Sequence, residues 1–94
     1  MFSVLDLPGA TLTLPDAITD AGDVVGLSEF GDGSGVGFHI HDGTVRRITC
    51  PGATRTAARG INAHGEVVGR FQMPDGRWLG FVLWAKPRRG QPRP

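Results

Sequence analysis

Gly22-Asp23-Val24-Val25-Gly26 and Gly65-Glu66-Val67-Val68-Gly69 are one phrase used twice, and the interval between them decides the fold. Working outward at the same offset of 43 residues, Pro8-Gly9-Ala10-Thr11 returns as Pro51-Gly52-Ala53-Thr54 and Ile18 returns as Ile61. Asp32-Gly33 returns as Asp75-Gly76, and Gly37-Phe38 as Gly80-Phe81. An ungapped repeat of this length matches one four-stranded propeller blade. The two units are residues 1–43 and 44–86, and a Pro/Arg-rich tail, 87–94, follows them.

Each unit is punctuated like a meander of strands, and neither holds a stretch at helical period. In the second unit the pattern predicts strands over residues 54–61, 66–72 and 78–84. Asn62-Ala63-His64-Gly65 turns the first into the second, and Pro74-Asp75-Gly76 makes the following hairpin, because Asp-Gly readily takes positive φ. The first unit repeats this over 11–18, 23–30 and 36–41, then turns at Asp42-Gly43 into a fourth strand over 44–49. Adjacent apolar residues, Val24-Val25, Val67-Val68 and Leu83-Trp84, place hydrophobic side chains on both faces of each small sheet. A sheet apolar on both faces must be sandwiched, as propeller blades are. The expected fold is all-β, with two four-stranded antiparallel propeller blades in a single domain.

Composition narrows the function classes. With 39% hydrophobic and 20% charged residues the chain is neither disordered nor membrane-spanning. Cys50 is the only cysteine, so no intramolecular disulfide is available. It aligns with Leu7 and reads as a small apolar residue at a strand end. Met1-Phe2-Ser3-Val4-Leu5-Asp6 lacks the basic start and apolar core of a secretory signal, so the chain as written reads as cytoplasmic or as a trimmed segment of something exported. The net charge of +1 conceals a division: the first unit carries −7, the second +5, and the tail after Lys86 +3. Without its basic end the body is acidic, which disfavours a nucleic-acid-binding face. The tail itself reads as disordered or polyproline-like.

The string Gly60-Ile61-Asn62-Ala63-His64-Gly65-Glu66-Val67-Val68-Gly69, its partner over residues 17–26 and the Pro-Gly-Ala-Thr connector resemble the HAF-repeat family, bacterial repeat proteins regarded as extracellular. The resemblance covers nearly all of the chain except the tail. It implies a β-propeller-like repeat fold and no defined activity. The family pattern usually carries a His before the Ala/Gly-Phe pair, whereas Val36 and Leu79 stand there in this chain.

Chemistry-bearing residues are sparse. His39 and His41 lie two apart on one strand and so on one face, a spacing that suits metal chelation only with a third ligand. Their counterparts Val82 and Trp84 are apolar, so packed or hydrogen-bonded histidines are expected, with no metal and no cofactor. His64 reads as a solvated loop residue. The acids form no matched pair, the serines have no nucleophile context, and no catalytic residue is expected. An aromatic surface is the best ligand candidate: Trp78 and Trp84 flank the last strand, with Arg77 beside the hairpin and Phe71 across it. Stacking on such rings suits a carbohydrate or other small ligand, although the same tryptophans equally suit packing between blades.

Two blades leave two apolar end faces, and repeat arrays generally need three or more units to bury their core. The expected partner is therefore the chain itself, in a head-to-tail ring of three chains giving six blades, or next of four giving eight. Phe2, Ser3, Val4 and Leu5 fall opposite residues 45–48 and offer a spare strand. No strand follows Trp84. Phe2 to Leu5 of one copy is therefore expected to pair with Gly80, Phe81, Val82, Leu83 and Trp84 of the next. Neither a membrane nor a nucleic acid is expected as partner.

Overall fold

In the computed structural model residues 3–85 are described; Phe2 and the tail, on which expectations of strand exchange and disorder fall, lie outside them. Seven strands form: β1 (Ala10–Ile18), β2 (Val24–Phe30), β3 (Gly35–His41), β4 (Thr44–Ile48), β5 (Arg55–Ile61), β6 (Val67–Gln72) and β7 (Trp78–Leu83). The described residues are all-β, and the strands belong to one open sheet ordered β1-β2-β3-β5-β6-β7, with β4 paired to β3. Every strand expected within the two repeats from residue 11 to residue 84 is present, its ends moved by at most a residue or two. All neighbouring pairs are antiparallel except β3 and β5, which meet in parallel at Gly35 and Arg55 alone. That single bridge joins a four-stranded unit to a three-stranded one. β4 lies in the second sequence repeat but completes the sheet of the first.

The duplication extends to individual hydrogen bonds. Thr19 N donates to Asp23 O at 2.9 Å, and Asn62 N to Glu66 O at 3.1 Å. In the hairpins, Ser34 N donates to Asp32 Oδ1 at 2.9 Å and Arg77 N to Asp75 Oδ1 at 3.0 Å. The Ser34 hydroxyl and then its N–H hold Asp32, and the Arg77 N–H and then its side chain hold Asp75, below the ordinary carboxyl pKa. Each inner strand also breaks register at the same place, between Pro15 and Ala17 in β1 and between Ala58 and Gly60 in β5. The residues re-aimed by these bulges, Asp16 and Arg59, form an ion pair at 3.4 Å.

Gly26 and Gly69 explain why glycine follows the paired valines. A Cβ on Gly26 would meet the Leu14 carbonyl oxygen on one side and Phe38 Cζ at 2.7 Å on the other. On Gly69 it would meet the Ala57 carbonyl oxygen and Phe81 Cε2 at 2.7 Å. Each glycine is thus the seat for the ring of its cross-strand partner, Phe38 or Phe81.

The core is the junction of the two units. Val25 and Ile48 of the four-stranded sheet cluster with Ala58 and Val67 of the three-stranded one, and Ala17, Ile61 and Phe81 pack around them. β5 runs against β1, β2 and β3. Two ion pairs cross the same junction, Arg55 with Glu29 and Arg59 with Asp16. The opposite charges of the units therefore first hold one chain together.

Ser3, Val4 and Leu5 form no strand, Val4 is exposed, and Leu5 lies in a groove with Pro15, Ile18 and Val24. β7 pairs only with β6 among the described residues, so its outer edge is open.

Candidate functional site

Where β1 turns into β2, Asp23 is almost entirely buried, an expensive place for a carboxylate without partners. It has three. Its Oδ1 lies 3.1 Å from His39 Nε2 and 2.5 Å from His41 Nδ1. Its Oδ2 accepts the Thr19 hydroxyl at 3.3 Å, and the Asp23 N–H donates back to that hydroxyl at 3.1 Å. An ionised carboxylate can only accept, so His39 carries its proton on Nε2 and His41 on Nδ1. The period of β3 is what brings both rings to one carboxylate.

The electrostatics follow from the contacts. Hydrogen bonds from His41 and His39 hold the Asp23 carboxyl below its ordinary pKa, against a smaller opposing effect of burial. The same Asp23 bond, then the charges of Asp23 and Asp42, raise the His41 pKa. His41 Nε2 is 3.4 Å from Asp42 Oδ2, with the His41 side chain 61% and the Asp42 side chain 88% exposed. His41 is thereby fixed at Nδ1 by Asp23, while its Nε2 faces solvent beside Asp42.

This cluster forms one wall of a cleft of about 650 Å3. Thr44 and Arg46 of β4 form the next wall, and the β5–β6 turn brings Ala63, His64 and Gly65 across from the second unit. His64, expected as an ordinary loop residue, is exposed and lines this cleft. Among the described residues no group of three or more His, Cys, Asp or Glu is arranged to hold a metal ion. The Asp23 distances are those of hydrogen bonds.

The aromatic candidates do not form one surface. Trp78 shares a cleft with Leu14, Asp16, Arg59 and Arg70. Trp84 lines another, with Asn62, Glu66, Val68 and Val82. The cation over Trp78 is Arg70, 4.8 Å from the ring centroid, while Arg77 is held at its own hairpin by Asp75 at 2.8 Å. Arg70 faces Gly80 across the β6–β7 ladder and so reaches Trp78 diagonally. Phe71 is half-buried opposite Leu79. Cys50 is partly buried, and burial raises its thiol pKa, which lowers its reactivity.

The two units diverge most where the clefts lie. Asp23, His39 and His41 correspond at the 43-residue offset to Glu66, Val82 and Trp84. One copy of the motif has become a histidine-carboxylate cleft and the other an aromatic-carboxylate cleft. Comparison with family profiles, with curated proteins and with solved structures finds no match for the chain.

Proposed function

We propose that the chain is a non-enzymatic, propeller-forming repeat protein that acts as a binding or scaffold module by head-to-tail assembly with its own copies. One observation carries this reading: each unit exposes the face that its counterpart buries. Val25, 0% exposed beneath the second unit, corresponds to Val68, which is 48% exposed. Buried His39 corresponds to exposed Val82. In the other direction Ala58, 0% exposed against the first unit, corresponds to Pro15, which is exposed. The junction inside the chain is thus a template for a junction between chains. The face with Val68 and Val82 on one copy would cover the face with Pro15, Ile18 and Val24 on the next.

The charges support the same order. Asp16 and Arg59 are equivalent residues at equivalent bulges, so head-to-tail stacking would set Arg59 of one copy beside Asp16 of the next and alternate their signs throughout. Joining like ends would instead oppose like charges. Such exposed pairs contribute on the order of 1 kcal/mol or less each, so they select the order more than they supply affinity. Ring closure at three chains, giving six blades, is favoured over four chains and eight blades. The resemblance to HAF repeats agrees with the propeller reading. Residues 2–5 would extend the open β7 edge of the neighbouring copy.

Light scattering on the full chain tests this reading. The expected mass is three times 10.0 kDa, and Val68→Asp should release smaller, still folded species. A folded single chain at micromolar concentration would overturn it. The second reading, a lectin-like carbohydrate site, is favoured by Trp84, Glu66 and Asn62 lining one cleft, since an indole platform beside polar groups suits a sugar ring.

A further inference from the structure

The cleft around His41 has cation-capable side chains on three independent elements. His41 comes from the end of β3, Arg46 from β4, and His64 from the β5–β6 turn. Thr44 adds a hydroxyl between the first two, and Ala63, Gly65 and Ala85 leave room. The volume is that of a small-molecule site and exceeds what a bare ion needs.

Two carboxylates oppose this positive charge, and they are not equivalent. Asp23 is spent: Thr19, His39 and His41 occupy its oxygens, and it presents His41 to the cleft. Asp42 is solvated at the rim, where water screens it, and contacts His41 only at 3.4 Å. Besides these and His39, which Asp23 holds, no titratable side chain lines the cleft among the described residues. Once His41 is protonated, it and Arg46, with His64 across the cleft, face one exposed carboxylate and one internally compensated one. All the walls belong to one chain, so the site does not depend on head-to-tail assembly.

We propose that this cleft binds a small molecule bearing a phosphate or sulfate group, and that binding strengthens on mild acidification. Donors on three walls suit a tetrahedral oxyanion, which offers acceptors in several directions, better than a planar carboxylate, which one Arg can satisfy. His41 donates through Nε2 only when protonated, because its Nδ1 proton is committed to Asp23. The raised His41 pKa places that state nearer neutrality.

The test is a titration of the full chain followed by NMR of the imidazole resonances, at fixed ionic strength. Sodium sulfate, whose charge is constant over the range, and glycerol 3-phosphate are the probes, and the tighter one names the source. Both His41 and His64 should shift saturably at about pH 5.5, with at least about tenfold weaker sulfate binding at about pH 8. His64→Gln and Arg46→Gln should each weaken binding. Asp42→Asn should tighten it by removing the opposing charge. All three positions are exposed, so the variants are expected to fold. Absence of saturable shifts at acid pH, equal sulfate affinity at both pH values, equal binding of acetate, or an Asp42→Asn variant that binds more weakly would each overturn the proposal.

Discussion

Alanine at Gly26 is expected to be among the most damaging small changes available to this fold, for a reason visible in its surroundings. The added Cβ would collide with the Leu14 carbonyl oxygen on β1 and with Phe38 Cζ at 2.7 Å from β3. The first obstacle is backbone, so no rotamer removes it, and the second is a ring with no exposed surface. Overpacking of this kind costs about 1–3 kcal/mol, and both obstacles being fixed puts Gly26 at the upper end. Removing glycine from the unfolded chain returns about 0.4–1 kcal/mol, leaving a net loss of roughly 2 kcal/mol. In a domain of this size that lowers Tm by roughly 10–15 °C.

Gly69→Ala meets the equivalent obstacles, but Phe81 is only partly buried and can yield, so a smaller fall is expected. Gly31→Ala is the control. Its nearest neighbour would be Thr11 Cγ2 at 3.9 Å, so only the unfolded-state gain remains and Tm should hold or rise slightly. Thermal denaturation by circular dichroism at one fixed protein concentration orders the three, since assembly would otherwise move Tm by mass action. A Gly26→Ala protein melting with or above the parent would refute the reasoning.

Stability should peak in the mildly acidic range. Asp23, with its pKa lowered, contributes above its unfolded value near 3.8 and loses that contribution as pH falls through the folded value; His41, with its pKa raised, contributes below 6.5 and loses it as pH rises through the folded value. Urea midpoints against pH should show both flanks, and Asp23→Asn should remove both. A double-mutant cycle of Asp16→Asn and Arg59→Gln should give a coupling of about 1 kcal/mol or less, measured by urea unfolding, because the pair is partly exposed. Deleting residues 1–6 should yield chains that aggregate or fall apart on size exclusion, whereas deleting 87–94 should leave the mass unchanged. Alkylation of Cys50 by iodoacetamide at neutral pH should be slower than that of a free thiol.

The backbone was legible because a repeat reports equivalence directly. Two copies of one turn at Asp-Gly, one paired valine and one trailing glycine fix where strands begin and end, and the structure moved those ends by little. Equivalence does not say which faces meet. Arg55 and Arg59 pair with Glu29 and Asp16 because β5 lies along the first unit, a packing that the repeat pattern does not encode. Arg77, expected beside the hairpin as the cation of the aromatic surface, is captured by Asp75, and diagonal pairing across the ladder brings Arg70 over Trp78 instead. Asp23 was counted as a scattered acid, since its partners lie 16 and 18 residues away. A signal was present in the departure of His39 and His41 from their apolar counterparts.

That departure has a structural logic. Positions that hold the fold, Gly26 and Gly69 with their phenylalanine seats and the bulges at Asp16 and Arg59, stay alike in role because both units must twist the same way to stack. Asp23 and Glu66 sit outside that constraint, at the turn between the first two strands, where a carboxylate can serve whatever β3 or β7 presents to it. The first unit presents two imidazoles and the second an indole. In a head-to-tail ring the His64 turn would meet every histidine cleft from within the chain, while residues 20–22 of the next copy would meet every tryptophan cleft. The two cleft types would then alternate, one complete in the single chain and the other completed only by assembly. A ligand of the first should bind independently of chain concentration, whereas a sugar at Trp84 should bind more tightly as assembly proceeds. Tryptophan fluorescence titrations at two chain concentrations separate these cases, and a carbohydrate affinity unaffected by Val68→Asp would count against the second cleft being built by a neighbour.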